Sequence, residues 1–183
     1  MSSAARIARF LVFPLLSALL CATACGDPAP EPPAGGGTIS GSPGGHPFDT
    51  VAASYVIGSP DDAARTVVIY VLDAGVGCDV LQSPGWDEQI PDGAQAIEVK
   101  LIGKTPGSYP VSADATPAAG EADVNYTELS SSGPSEIRAI GGTVTLDSLE
   151  DGGVATGSFD LQFPGGPATG TFSAAFCSGG HEP

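Results

Sequence analysis

A hydrolytic site needs a nucleophile with a base in hydrogen-bond reach, and that base is most often a histidine. This chain of 183 residues has two histidines, His46 and His181. The first falls in a Gly/Pro/Ser-rich stretch and the second in the C-terminal tail, so neither is set against a serine and no catalytic residue is assigned. A structural zinc site takes about four Cys or His ligands, and the four cysteines and two histidines here are mostly committed elsewhere, so no metal and no cofactor is expected. Adjacent acids occur at Asp61-Asp62, Asp87-Glu88 and Glu150-Asp151. All sit in segments that read as turns, where acids are solvated or bond their own backbone. The nearest approach to an oxygen-ligand set for calcium is Asp147, Glu150 and Asp151, without EF-hand spacing. The ligand-binding candidates are Trp86, Asp87 and Glu88 in a Pro/Gly-rich loop, with Asp79 nearby. An exposed indole there would stack on sugar or peptide, whereas the commoner arrangement packs such a Trp over a sheet edge. Asn125-Tyr126-Thr127 matches a glycosylation sequon but falls within a predicted strand and reads as chance.

The cysteines carry more information. Met1 to Arg9 holds Arg6 and Arg9 and no acid, Phe10 to Leu20 is an apolar run, and Ala22-Thr23-Ala24 leads to Cys25. That is the order of a secretory signal, and the run is shorter than the roughly 20 residues of a membrane span. Ala22-Thr23-Ala24-Cys25 resembles a bacterial lipobox, with Ala22 where leucine is usual. The resemblance implies a signal peptide over residues 1–24 and lipidation of Cys25, with ordinary signal-peptide cleavage as the alternative. Residues 25–46 then read as a disordered tether, because Gly, Pro and Ser dominate and apolar residues are nearly absent. Gly26 after the cysteine resembles the outer-membrane pattern of Gram-negative lipoproteins. Cys78 and Cys177 remain, and in an oxidising compartment one disulfide between them is the simplest outcome. Nothing like Cys-x-x-Cys marks a redox pair.

Charge narrows the partners. The chain has 21 acids against 6 bases, a net charge of −15. Removing Arg6 and Arg9 with the signal leaves 21 against 4, about −17. Nucleic acid and anionic lipid surfaces both call for a basic face, so neither is expected as a partner. An envelope protein or glycan remains open, and self-repulsion favours a monomer.

The elements that would position these residues read as strands. Phe48 to Ile57 is the first. Arg65 to Leu72 is the most strongly β segment, and its near-continuous apolar run predicts a central strand covered on both faces. Cys78 to Leu81 reads as a short helical turn and Ser83 to Asp92 as a loop. Ala94 to Ile102 and Ala122 to Leu129 alternate apolar and polar. Gly107 to Val111 is a short edge strand because of Pro110. Ile137 to Leu146 carries Gly141-Gly142, which predicts a bulge or bend. The nonapeptides Ala155 to Phe163 and Ala168 to Phe176 align without a gap around Pro164-Gly165-Gly166-Pro167, and read as a hairpin. Phe159, Leu161 and Phe163 share one face of the first arm, and Phe172, Ala174 and Phe176 share one face of the second. Pairing Phe163 with Ala168 across a four-residue turn would set Phe159 opposite Phe172.

Roughly eight short strands with almost no helix predict an all-β domain over residues 47–178, an antiparallel β-sandwich, with a small β-barrel as the alternative, followed by a tail at 179–183. The order Gly107-x-Tyr109-x-Val111, Gly142-x-Val144-x-Leu146, Gly157-x-Phe159 and Gly170-x-Phe172 resembles small secreted bacterial lipoproteins of uncharacterised function. That resemblance implies an antiparallel β-domain held outside the cytoplasm and brings no site residue. The expectation is a lipid-anchored, non-enzymatic binding or structural module at the outer membrane. The alternatives are a carbohydrate-binding or hydrolytic domain using the Trp86 loop, and a β-barrel carrier of a small apolar ligand.

Overall fold

A computed structural model describes residues 35–57, 66–81, 83, 85–130, 133–150 and 153–177, together with the backbone but not the side chains of Ala53, Val56, Ile57, Trp86 and Asp87. Residues 1–24, expected to be a signal peptide, and Cys25, Asp61, Asp62, Asp151 and His181 lie outside the described residues. The described residues belong to one compact unit.

Among them the chain forms ten strands: β1 (Gly36–Gly41), β2 (Ala53–Ile57), β3 (Val67–Leu72), β4 (Gln95–Leu101), β5 (Gly107–Pro110), β6 (Ala122–Glu128), β7 (Ser135–Arg138), β8 (Gly141–Leu149), β9 (Val154–Phe163) and β10 (Gly166–Cys177). They make one sheet in the order β5-β8-β9-β10-β2-β3-β4-β6-β7, with β1 paired to β10. Every pairing is antiparallel except β10 with β2. The all-β expectation holds, and the strands are hydrogen-bonded in one continuous sheet that curls into a half-barrel, nearer the barrel alternative than the favoured sandwich of two sheets. Its ends are tied twice. Val111 bridges Ala122. At the β7–β8 corner, Ala139 N–H bonds Val124 O of β6 and Ile140 N–H bonds Gln162 O of β9, at 2.9 and 2.8 Å. This corner is where one strand with a bulge at Gly141-Gly142 was expected. The chain instead changes partners there, and the register shift falls later, between Leu146 and Ser148.

The hairpin is present with its register moved by two residues from expectation. Gly166 pairs with Phe163, so Pro164 and Gly165 alone make the turn. Phe159 then faces Gly170, and Gly157 faces Phe172. A Cβ built on Gly170 would lie 2.7 Å from the Phe159 ring, and one on Gly157 would lie 2.4 Å from the Phe172 ring. Each ring therefore lies over the bare backbone of the opposite strand, so two large side chains fit where aromatic would otherwise meet aromatic. Phe159, Leu161, Phe163 and Phe172 are buried, as the alternation requires.

β1 corrects the reading of residues 25–46 as a tether, because Gly36–Gly41 is a sheet strand along β10. Its only buried apolar side chain is Ile39, 6% exposed, too little to produce a periodic signal. The glycines serve close approach: a Cβ at Gly37 would fall 2.2 Å from Thr171 O. The chain clamps both ends of β1, through Phe48 N–H to Gly41 O at 2.9 Å and Ser54 N–H to Gly35 O at 3.1 Å.

Two apolar clusters stabilise the fold. The inner one gathers Val67, Ile69 and Val71 of β3 with Ile97, Val99, Leu146, Leu161 and the rings of Phe48, Phe159, Phe163 and Phe172. The other face of β3 carries Val68, Tyr70 and Leu72, which pack under Val76, Cys78, Leu81 and Ile90. Residues 73–94 thus form a flap over the outside of the sheet, so β3 is covered on both faces as its composition predicts. The flap holds the four-residue helix α1 (Cys78–Leu81) and a 3-10 turn at Trp86–Gln89. A disulfide joins Cys78 to Cys177, with the Cα atoms 5.5 Å apart. It fastens the flap to the end of β10. The Tyr55 hydroxyl adds a hydrogen bond to Val76 O at 2.7 Å.

Candidate functional site

The flap meets the β6–β7 turn at one end of the half-barrel. Gly93 N–H bonds Leu129 O at 2.7 Å, and Leu129 N–H returns to Ala94 O at 2.9 Å. The turn that follows is locked by the Ser130 hydroxyl donating to Gly133 O at 2.7 Å and by Gly133 N–H to Ser130 O at 2.8 Å. Between these two fixed segments runs a groove of about 530 Å3. Ile90 and Leu129, 6% and 5% exposed, form an apolar floor. Pro134, Gly133 and Ser130 from the β6–β7 turn and Glu88 and Asp92 from the flap complete the lining, both acids being exposed residues. Glu88 reaches the groove because the 3-10 turn closes with its N–H on Gly85 O at 3.1 Å.

Of the candidates named from sequence, Glu88 lines this groove. Trp86 and Asp87 open the same 3-10 turn, but their side chains are outside the description. Asp79 lies exposed on α1 and is not among the groove residues. Asp147 and Glu150 are exposed near the end of β8, and among the described residues no group of three His, Cys, Asp or Glu is placed to hold a metal. His46 is exposed in the turn after β1. Sequence reasoning missed Ile90, Asp92, Leu129 and Ser130. The turn signal Pro91-Asp92-Gly93 was available, but nothing local shows that Leu129 would arrive beside it.

Perturbed ionisable groups lie elsewhere. Glu98 on β4 is in register with Tyr70 on β3 and Asn125 on β6, and Asn125 with Arg138 on β7. Burial pushes the Glu98 carboxyl up, against the lowering effect of a hydrogen bond from Tyr70, with Glu136 and Asp123 adding to the rise. The neighbouring Arg138 guanidinium bonds Asp123. Near the groove's end of the sheet, the Tyr126 hydroxyl donates to Gln95 Oε1 at 2.9 Å, and Gln95 N–H donates to Asp73 Oδ1 at 2.8 Å. Desolvation drives the Tyr126 hydroxyl up to about 12, and nearby Glu128 and Asp73 act in the same sense. Burial also raises Asp73. These groups tie strands together. A second groove, of about 710 Å3, lies between the Ile102–Ser108 turn and Ala119-Gly120, where burial raises Tyr109 and its hydroxyl donates to Thr105 O at 2.6 Å.

Comparisons with protein-family models, with curated proteins and with solved structures find no match. Function therefore rests on the geometry above.

Proposed function

We propose that this chain is a non-enzymatic binding module of the bacterial cell envelope, held at the membrane through acylated Cys25, which takes its ligand in the groove between the flap and the β6–β7 turn. The observation that carries the reading is the groove itself. Its lining combines a buried apolar floor with carboxylates and a hydroxyl, groups that hold a ligand by contact. The Ser130 hydroxyl is committed to the turn. The Cys78–Cys177 disulfide supports an oxidising compartment. The carrier reading draws no support from the interior, where the Phe48, Tyr126 and Phe163 rings pack against one another in tilted and edge-on contacts with centroids 6.4 and 6.3 Å apart.

Two measurements test this. Radiolabelled palmitate should enter the wild-type chain and not the Cys25→Ala variant; equal labelling would refute the anchor. Chemical-shift mapping against a panel of peptides and oligosaccharides should perturb Ile90, Leu129 and Gly133 first. Responses confined to Ile102 through Gly120, or no response to the panel, would refute the groove.

A further inference from the structure

The groove's lining is complementary to one kind of group. A lysine or arginine side chain is an apolar stem ending in a cation. Ile90, Leu129 and Pro134 offer a surface for such a stem, and the acidic residues Glu88 and Asp92 line the same groove. The three cations among the described residues are Lys100, Lys104 and Arg138, and none lines the groove. Arg138 is engaged with Asp123. The whole chain carries a net charge of −15, so its field draws a cationic partner in and repels an anionic one.

We infer that the groove is a docking site for a basic peptide segment, one of whose lysine or arginine side chains lies over Ile90 and Leu129 with its charge between Glu88 and Asp92. The inference rests on the groove being the binding site and adds the chemistry of its occupant. The peptide's remaining cations would gain only the long-range field, which salt screens over about 10 Å at 0.1 M. The seated side chain combines apolar contact with the charge of the groove's carboxylates, and it supplies specificity.

The test uses the full chain in detergent micelles, fluorescence anisotropy at about 0.1 M salt, and four probes. These are a labelled octapeptide alternating lysine and glycine, the same peptide with glutamine for lysine, an oligosaccharide and calcium. The lysine peptide should bind at least about tenfold more tightly than the glutamine peptide. Glu88→Gln with Asp92→Asn should weaken it about tenfold. Asp114→Asn with Asp160→Asn makes the same change in net charge at exposed positions outside the groove, and should weaken binding less than about twofold. Equal losses in the two double variants would overturn the proposal, because binding would then follow net charge alone. Groove-dependent binding of the oligosaccharide or of calcium, and not of the lysine peptide, would overturn the occupant and keep the groove. Groove-independent results with all four probes would overturn both.

Discussion

Replacing Cys78 and Cys177 together by alanine should cost about 4 kcal/mol, and the loss should fall unevenly over the molecule. The two residues are 99 apart in sequence. In the chain-entropy account a cross-link closing a loop of about that size removes about 4.7 kcal/mol worth of freedom from the unfolded state, and measured effects run somewhat lower. For a domain of this size that corresponds to a fall in Tm of roughly 10 °C. The unevenness follows from what the bond holds. The inner cluster around Ile69, Val99 and Leu161 does not include either cysteine, whereas the cluster beneath the flap includes both. Without the bond, the flap is held by contacts such as the Tyr55 hydrogen bond, its junction with Leu129 and the apolar packing beneath it, and its four-residue helix cannot hold itself. Urea titration should show the loss of global stability. Native-state hydrogen exchange should show amides of Val80 and Leu81 opening far more readily than those of Ile69 and Val99. An unchanged urea midpoint, or flap and barrel amides opening with equal free energy in the variant, would refute the division into barrel and stapled flap.

Three further outcomes are expected. Phe159→Ala should cost about 3–5 kcal/mol by opening a cavity over Gly170, and Gly170→Ala about 1–3 kcal/mol by forcing a methyl against the Thr38 carbonyl of β1 and against that ring; a neutral result for Gly170→Ala in urea melts would contradict the close approach of β1 and the Phe159 ring to this glycine. Tyr126 should remain un-ionised in absorbance titration until near pH 12. Because its folded value is raised, its contribution to stability is complete below the unfolded tyrosine range near 10 and is lost as pH climbs through the folded value, so Tyr126→Phe should flatten the alkaline fall in Tm. Glu98 follows the same sign: its carboxyl is raised in the fold, so stability declines as pH rises past the ordinary carboxylate range. Glu98→Gln should therefore be at least as stable as wild type at pH 7 and should lose part of that acid-side slope; a Tm at pH 7 below wild type would refute this.

Much of the fold is legible because strand alternation is a local signal. β3, β4, β6, β9 and β10 announce themselves by which residues must share a face, and Cys78 and Cys177 by being the cysteines outside the N-terminal segment. What escapes a reading along the chain depends on partners distant in sequence. β1 is written in glycine, and only the backbone of Thr171 explains why. The hairpin register was misplaced because Gly166-Pro167 was counted with the turn, although Gly166 already pairs with Phe163. The groove was half visible: Glu88 stood out, but Ile90 and Asp92 gain meaning only when the sheet brings Leu129 and Ser130 across from β6. The corner at Ala139 and Ile140 is likewise a property of sheet closure, which no single strand encodes.

The first strand also sets a leash. With β1 zipped onto β10, nine residues, 26–34, lie between the proposed acyl attachment at Cys25 and Gly35, where the described chain begins. Fully stretched, such a segment reaches about 30 Å, less than half of what a free stretch ending at His46 would allow. An anchored copy would therefore ride within about one bilayer thickness of the headgroups. It could meet only ligands that come to the membrane surface.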